Sequence, residues 1–306
     1  MIKNTELLFK PITIEDKEII TSFTLQGNFL NCDYAFANMC SWRFLYESEY
    51  AAEDGFLFVR FYVEEKGRKR LAYMFPVGNG NLKMAIEHLE KDAESKGYSL
   101  LILGVTPESK IKINALFPDN FTYLTERDYF DYIYLREDLA TLKGKKFQPK
   151  RNHINKFKKR YEYTYMPIHQ DIIPQCMEVE RIWCKANFNE NDRENLTNEH
   201  RSMTFAMNHF NELGISGGAI VADGKIIAFT YGSPINKNTF GIHVEKADIH
   251  YEGIFSVINR EFASRIPTQY LYINREEDLG IPGLRQSKLS YHPVILLEKN
   301  AAIKRR

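Results

Sequence analysis

The chain predicts an α/β fold of the α+β kind, in which mixed sheets are flanked by helices. Three observations lead there. Helical and strand periodicities alternate along all 306 residues. An Asp223-Gly224 pair separates two apolar runs, Gly218 to Ala222 and Lys225 to Tyr231, which suits a tight primed turn between antiparallel strands. Farther on, strand, helix and strand follow one another from Thr239 to Ile273, a succession that needs a parallel, right-handed crossover.

Taken in order, Thr13 caps a helix with acids in its first turn. Asp33 to Tyr46 reads as a second helix with Phe36, Met39, Cys40 and Phe44 on one face. Strand character fills Gly55 to Val63 and Leu71 to Pro76 around a charged turn. Asn81 to Lys96 is an amphipathic helix, with Leu82, Ala85, Ile86, Leu89 and Ala93 on a single stripe. Ser99 to Val105 is a short buried strand, and Asp128 to Leu135 closes the half as another. The second half opens with helices Ile172 to Lys185 and Leu196 to Leu213 and continues through the hairpin to a strand, Thr239 to Glu245. A helix from Gly253 to Ile266 and strands at Tyr270 to Ile273 and Tyr291 to Glu298 complete it. This is the element order of an acetyltransferase-type fold, and both halves share it. The expected organisation is two such domains, residues 1–139 and 140–306, with a basic connector helix at 149–161.

Composition narrows the function classes. Apolar residues make up 44% of the chain and aromatic residues 13%, with 21 Phe and 18 Tyr against 2 Trp, so the core is ring-filled. Trp42 and Trp183 read as core residues. A net charge of +1 supplies no global field toward nucleic acid or membrane, so a polyanion must be met by a local patch. Cys32, Cys40, Cys176 and Cys184 lack C-x-x-C spacing and read as reduced thiols; no metal is expected. Without an apolar signal core or a run of about eighteen uncharged apolar residues, a cytoplasmic protein with no transmembrane segment is expected. Lys304 to Arg306 reads as a frayed tail.

Three segments carry chemistry. After the strand ending at Ile273 come Arg275, Glu276, Glu277 and Asp278, then Gly280, Pro282 and Gly283, then Arg285, Lys288, Tyr291 and His292. Charge of both signs at a strand end, on a bent backbone, marks a site rather than a plain loop. The second segment runs from His243 through Glu245, Asp248 and Tyr251 to Gly253. Strand alternation puts His243 and Glu245 on one face with Gly241, opposite Phe240, Ile242 and Val244, so the pair suits a base and its orienter as well as a solvated strand face. If the two strands are neighbours, Glu245 and Asp248 approach Glu276 and Asp278, a carboxylate group suited to an amine. Arg275 and Lys288 would then serve an oxyanion or phosphate. The third, Lys143 to Arg160, holds nine Lys or Arg residues and no acid. Lys145, Lys146, Lys150, Arg151, His153 and Lys156 are its candidate polyanion contacts, set against the plainer reading of a solvated helix face.

These segments, with the stretches from Asp138, Lys150 and Ala228, resemble a family of bacterial proteins related to the C-terminal catalytic domain of phosphatidylglycerol lysyltransferase. The Gly280…Gly283-Leu284…Lys288 pattern is also similar to Fem-like aminoacyl-tRNA-dependent transferases. The resemblance covers nearly the whole chain. It implies paired acetyltransferase-like (GNAT-like) domains and transfer of an aminoacyl group from aminoacyl-tRNA to a lipid hydroxyl or an amine, with no tightly bound cofactor. Two departures stand out. The acyl-CoA loop of this fold is reduced to His250-Tyr-Glu-Gly253-Ile-Phe255, where Phe255 would hinder a pyrophosphate, so acyl-CoA is disfavoured. The membrane domain of the lysyltransferase is not in this chain.

Three functions are therefore expected in order: an acyl- or aminoacyl-transferase, a CoA-dependent N-acetyltransferase, and a silent module binding RNA or anionic membrane. In the first, His243, Glu245, Asp248, Arg275 and Lys288 are catalytic. Glu276, Glu277, Asp278, Tyr251, Gly253, Tyr291 and His292 line the substrate site. tRNA, a peripheral anionic membrane and a small-molecule or lipid acceptor are the partners.

Overall fold

A computed structural model describes residues 6–187 and 193–305. The first half runs Lys10–Pro11 (β1), Lys17–Thr24 (α1), Phe36–Ser41 (α2), Arg43–Tyr46 (α3), Glu49–Glu53 (β2), Phe56–Glu65 (β3), Arg68–Met74 (β4), Val77–Gly78 (β5), Leu82–Ser95 (α4), Leu101–Val105 (β6), Pro107–Leu116 (α5), Phe121–Thr125 (β7) and Asp131–Leu135 (β8). There follow Arg136–Thr141 (α6), Gln148–Arg160 (α7), Tyr163–Pro167 (β9), Ile173–Asn187 (α8), Arg193–Asn208 (α9), Ser216–Ala222 (β10), Lys225–Asn236 (β11), Thr239–Ala247 (β12), Ile254–Ala263 (α10), Tyr272–Asn274 (β13), Pro282–Leu289 (α11), Ile295–Leu297 (β14) and Asn300–Lys304 (β15).

Local signals explain most of these boundaries. Asn81 caps α4 by accepting the Met84 N–H at 3.2 Å, and the stripe Ala85, Ile86, Leu89 and Ala93 is buried. Asp223 and Gly224 turn the β10–β11 hairpin with φ of 51° and 73°, the left-handed pair a type I′ turn needs. Thr106 caps α5 and Pro107 opens it, a start signal that the strand-by-strand reading passed over together with β7. The single helix expected over 33–46 is broken: Ala35 is extended, with ψ of 120°, between the 3-10 turn Cys32–Tyr34 and α2. The helix expected to reach Leu213 ends at Asn208. All four cysteines are free thiols.

Two mixed sheets share one strand plan. The first is ordered β1-β2-β3-β4-β6-β15-β7 with β5 on β3, the second β9-β10-β11-β12-β13-β8-β14. In each, four antiparallel strands lead through a helix (α4 or α10) to a parallel fifth strand, and two antiparallel strands follow. The sixth strand of each sheet comes from across the expected boundary at Leu139. β8, assigned above to the first half, pairs with β13 and β14, while β15 pairs with β6 and β7. Residues 304 and 305 are therefore no frayed tail: Lys304 ends an inner strand whose Ala302 is fully buried, and Arg306 lies outside the described residues. Helical pieces α1 and α2 pack with α8 and α9 on one face of the second sheet, and α6, α7 and α10 cover its other face.

A knot of charge holds the exchange together. Lys299, immediately before β15, places its ammonium 2.8 Å from Asp131 at the start of β8 and 3.1 Å from Asp33, and it also pairs with Glu277. The side chains of Lys299 and Asp131 are 6% and 0% exposed. Burial and the surrounding acids push the Asp131 carboxyl up, whereas the acids drive Lys299 well above its ordinary value. Asn274 adds hydrogen bonds of 2.7 Å to both Asp131 and the Leu30 carbonyl. Removing the cation leaves the buried Asp131 carboxylate without its partner and facing Glu277, so Lys299→Met is expected to cost about 3–5 kcal/mol. Urea denaturation measures this, and a loss below about 1 kcal/mol would show the knot to be dispensable.

Candidate active site

The site is built where β12 and β13 run parallel, with Gly241 beside Asn274. Tyr231 of β11 faces Val244 and Gly232 faces Ile242, so His243 is an extra, unpaired residue. This β-bulge reverses the alternation beyond it. Phe240 and Ile242 point to the α10 side, Val244 to the opposite core, and Glu245 back to the α10 side, where Asn259 meets it. His243 and Glu245 thus lie on opposite faces, contrary to the expectation from simple alternation.

The segment from Arg275 to Asp278 divides its charges in the same way. Arg275 Nη2 donates to Glu245 Oε1 at 3.1 Å, and Asn259 Nδ2 donates to Glu245 Oε2 at 3.2 Å. The guanidinium stands 5.0 Å from the Tyr291 ring centroid and 5.9 Å from that of Tyr134. Arg275 Nη1 and Asn259 Oδ1 are buried and have no hydrogen-bond partner among the described residues. On the other face, Glu276 lies 2.8 Å from His243 Nδ1 and accepts the Asn38 amide at 2.8 Å, while His243 Nε2 is 2.7 Å from Ser233 Oγ. Glu277 turns to Lys299. Cys32, Asp33 and Glu277 bring ligand-type atoms within 4.8 Å of one another, but these groups surround that ammonium. Asp278 accepts from Arg285 at 2.7 and 2.8 Å, from Tyr132 at 2.5 Å and from the Gly280 N–H at 2.9 Å.

Several expected roles change. Lys288 is not an anion stabiliser: its buried ammonium donates to the Arg275 carbonyl at 2.6 Å and to the Glu277 carbonyl, clamping the backbone of the segment. It belongs to α11, a helix not expected from the sequence although Pro282 stands at its start. Asp248 accepts the His250 N–H at 3.0 Å and faces the His250 ring at 2.7 Å, so it caps a turn and does not join Glu276 and Asp278. Tyr251 bonds Asp223 at the hairpin turn. Gly253 packs α10 on α7, since a Cβ there would meet the His153 carbonyl oxygen at 2.7 Å. His292 lies edge-on to Phe147, with Nε2 3.2 Å from the Lys146 carbonyl.

Of the basic run, Arg151 donates to the Leu142 and Gly144 carbonyls, Lys146 pairs with Asp138 at 2.9 Å, and Lys156 stands 3.7 Å from Glu252. Lys145 and His153 are exposed. Lys150 turns inward, its Nζ 3.9 Å from the Tyr291 ring centroid. The residues missed were Asn259 and Lys299. The first was visible as a polar side chain within the inward stripe of α10; the second had no local signal.

Burial opposes ionisation of Asp278, but hydrogen bonds from Arg285, Tyr132 and the Gly280 N–H outweigh it and hold the carboxyl well below the usual carboxylate range. A carboxyl depressed in the folded state stabilises fully above its unfolded pKa, about 3.9, and that contribution is lost as pH falls below it. Asp278→Asn should therefore lower stability at pH 7 and flatten its decline below about pH 4. Thermal denaturation between pH 7 and 2 reads this, and an acid limb of unchanged steepness would contradict it.

This geometry can be set against known proteins. A conserved protein of unknown function from Bacteroides thetaiotaomicron is 50% identical, with a TM-score of 0.94 over 98% of this chain and 100% of that one. L-PGS from Bacillus licheniformis shares the fold at 15% identity, with a TM-score of 0.65 over 96% and 93% of the two chains. FemX does so at 9% identity, with a TM-score of 0.57 over 96% and 97%. An uncharacterized protein of Mycoplasmoides gallisepticum, MYCGA3080, is 25% identical over 175 residues, and the match spans 54% of that protein and 55% of this chain. No helix among the described residues is long and apolar enough to cross a membrane. The fold is thus one shared with transferases, and because the family model described as phosphatidylglycerol lysyltransferase, C-terminal, matches residues 27–302, the chain belongs to that family.

Proposed function

We propose that the protein is an aminoacyltransferase that moves an amino acid from aminoacyl-tRNA to a lipid hydroxyl or an amine, at the site around Glu245 and Arg275. The observation that supports this most is the pair of orphaned atoms beside Glu245, one donor and one acceptor. Arg275 Nη1 is suited to the carbonyl oxygen of the ester, which gains charge as the tetrahedral intermediate forms. Asn259 Oδ1 and the Glu245 carboxylate are suited to the α-amino group of the same aminoacyl unit. An aminoacyl ester is already activated, so positioning and charge stabilisation suffice without a covalent enzyme intermediate.

The family description, with lysyl transfer and phosphatidylglycerol in its name, supports an aminoacyl group as cargo and a lipid as acceptor. The exposed cations Lys143, Lys145, Lys158 and Lys159 give tRNA phosphates a surface on and before α7. A lipid would be met from the membrane surface. Acyl-CoA fits less well, because three of the N–H groups at the start of α10 that would cradle a pyrophosphate are engaged: Ile254 N–H bonds the Tyr251 carbonyl, and Ser256 and Val257 N–H bond the Gly253 carbonyl.

Incubating the protein with radiolabelled aminoacyl-tRNAs and either phosphatidylglycerol vesicles or small amines tests the proposal. Transfer is expected, and Arg275→Met should lower its rate about 10²–10³-fold, the usual effect of removing one oxyanion donor. Acylation supported by acetyl-CoA but by no aminoacyl-tRNA would replace this reading.

A further inference from the structure

Lys150 stands apart from the basic run that contains it. Lys146 is paired with Asp138, and Lys156 and Arg160 share Glu252, whereas Lys150 has no carboxylate partner among the described residues. Its side chain leaves the solvent face of α7 and lies half-buried over Tyr291. The groups facing it are Arg275, Glu245 and Tyr291, and the Tyr134 ring stands 5.9 Å from the Arg275 guanidinium. Burial lowers its pKa first and the Arg275 charge second, against a smaller opposing pull from Glu245, to about 8. Neither near neighbour can move a proton as readily: Arg275 stays charged, and burial pushes the Tyr291 hydroxyl up to about 12.

We propose that Lys150 is a further catalytic residue, whose neutral amine takes the proton from the attacking hydroxyl or amine. The inference rests on the transfer reaction proposed above. As the attacking atom bonds to the ester carbonyl carbon, its proton passes to Lys150 Nζ. When the carbon–oxygen bond to the tRNA ribose breaks, the ammonium returns that proton to the leaving oxygen, and the amine is regenerated without any co-reactant. Lys150 Nζ and the Arg275 guanidinium lie 3.9 Å and 5.0 Å from the centroid of the same Tyr291 ring, which sets the base beside the oxyanion donor.

Competitive labelling with trace acetic anhydride across pH 6–11, read lysine by lysine by mass spectrometry, measures Lys150 directly in the intact protein. Its labelling should rise with a midpoint near pH 8, well below the ordinary lysine value of about 10.4. Arg275→Met should move the Lys150 midpoint upward. Titration of Lys150 together with the exposed lysines would overturn the inference. In the transfer assay, Lys150→Met should lose at least about 10²-fold in rate, and Lys150→Arg, which stays protonated, should fail to restore it. Wild-type transfer with an undiminished rate and unchanged pH profile in Lys150→Met overturns the inference and leaves the proposed function standing. Absence of transfer by the wild-type protein overturns both.

Discussion

The structure depends on one buried ammonium. Lys299 gathers Asp33 from the 3-10 turn before α2, Asp131 from β8 and Glu277 from the charged segment, three carboxylates that would otherwise repel one another, with Asp131 fully buried. Each partner belongs to a different layer, so one cation ties both sheets and the site-bearing segment to a single point. The two strands it joins, β8 and β15, are those each half sends into the other's sheet. Neither sheet can close its inner edge without the other half of the chain, and α1 and α2 share an apolar core with α8 and α9.

From that anchor the chemistry acquires direction. With Glu277 fixed to Lys299, and with Lys288 gripping the carbonyls of Arg275 and Glu277, the neighbouring side chains must leave on alternate faces. Arg275 goes to Glu245 and Glu276 to His243, while Asp278 is locked by Arg285 and Tyr132. The bulge at His243 performs the matching reversal on β12, so that Glu245 reaches the α10 face where Arg275 waits. A regular strand would leave Glu245 among the apolar side chains around Val244. The preorganisation is typical of sites whose partners are supported by a second layer of contacts.

How much of this could be read in advance follows from which signals are local. The strand–helix–strand succession implied neighbouring parallel strands, and from it the approach of the Glu245 stretch to the segment from Arg275 was legible thirty residues apart, though not which charges would pair. The hairpin at Asp223-Gly224 and the capped helix after Asn81 were equally plain, because turn and cap chemistry act over a few residues. The strand exchange was hidden, since an apolar strand such as β8 has no pattern saying which sheet it joins. Lys299 carries no local signal, and Lys150 counts among the polyanion contacts of a basic run. The inward course of both is hidden in the sequence because the groups that each cation meets lie far away in the chain. The bulge escaped for a related reason: alternation counts residues, and one extra residue in a ladder leaves no trace in composition.

Hydrogen–deuterium exchange on the chain truncated after Glu298 addresses the central dependence most directly, for it removes Lys299 and β15 while leaving every residue of the site in place. If the knot and the exchanged strand hold both sheets in register, protection should fall at residues 131–135 and 272–278 of the second sheet as well as at β6 and β7. If only β6 and β7 loosen, and residues 272–278 exchange as slowly as in the intact protein, the claim that one buried ammonium organises the site is wrong.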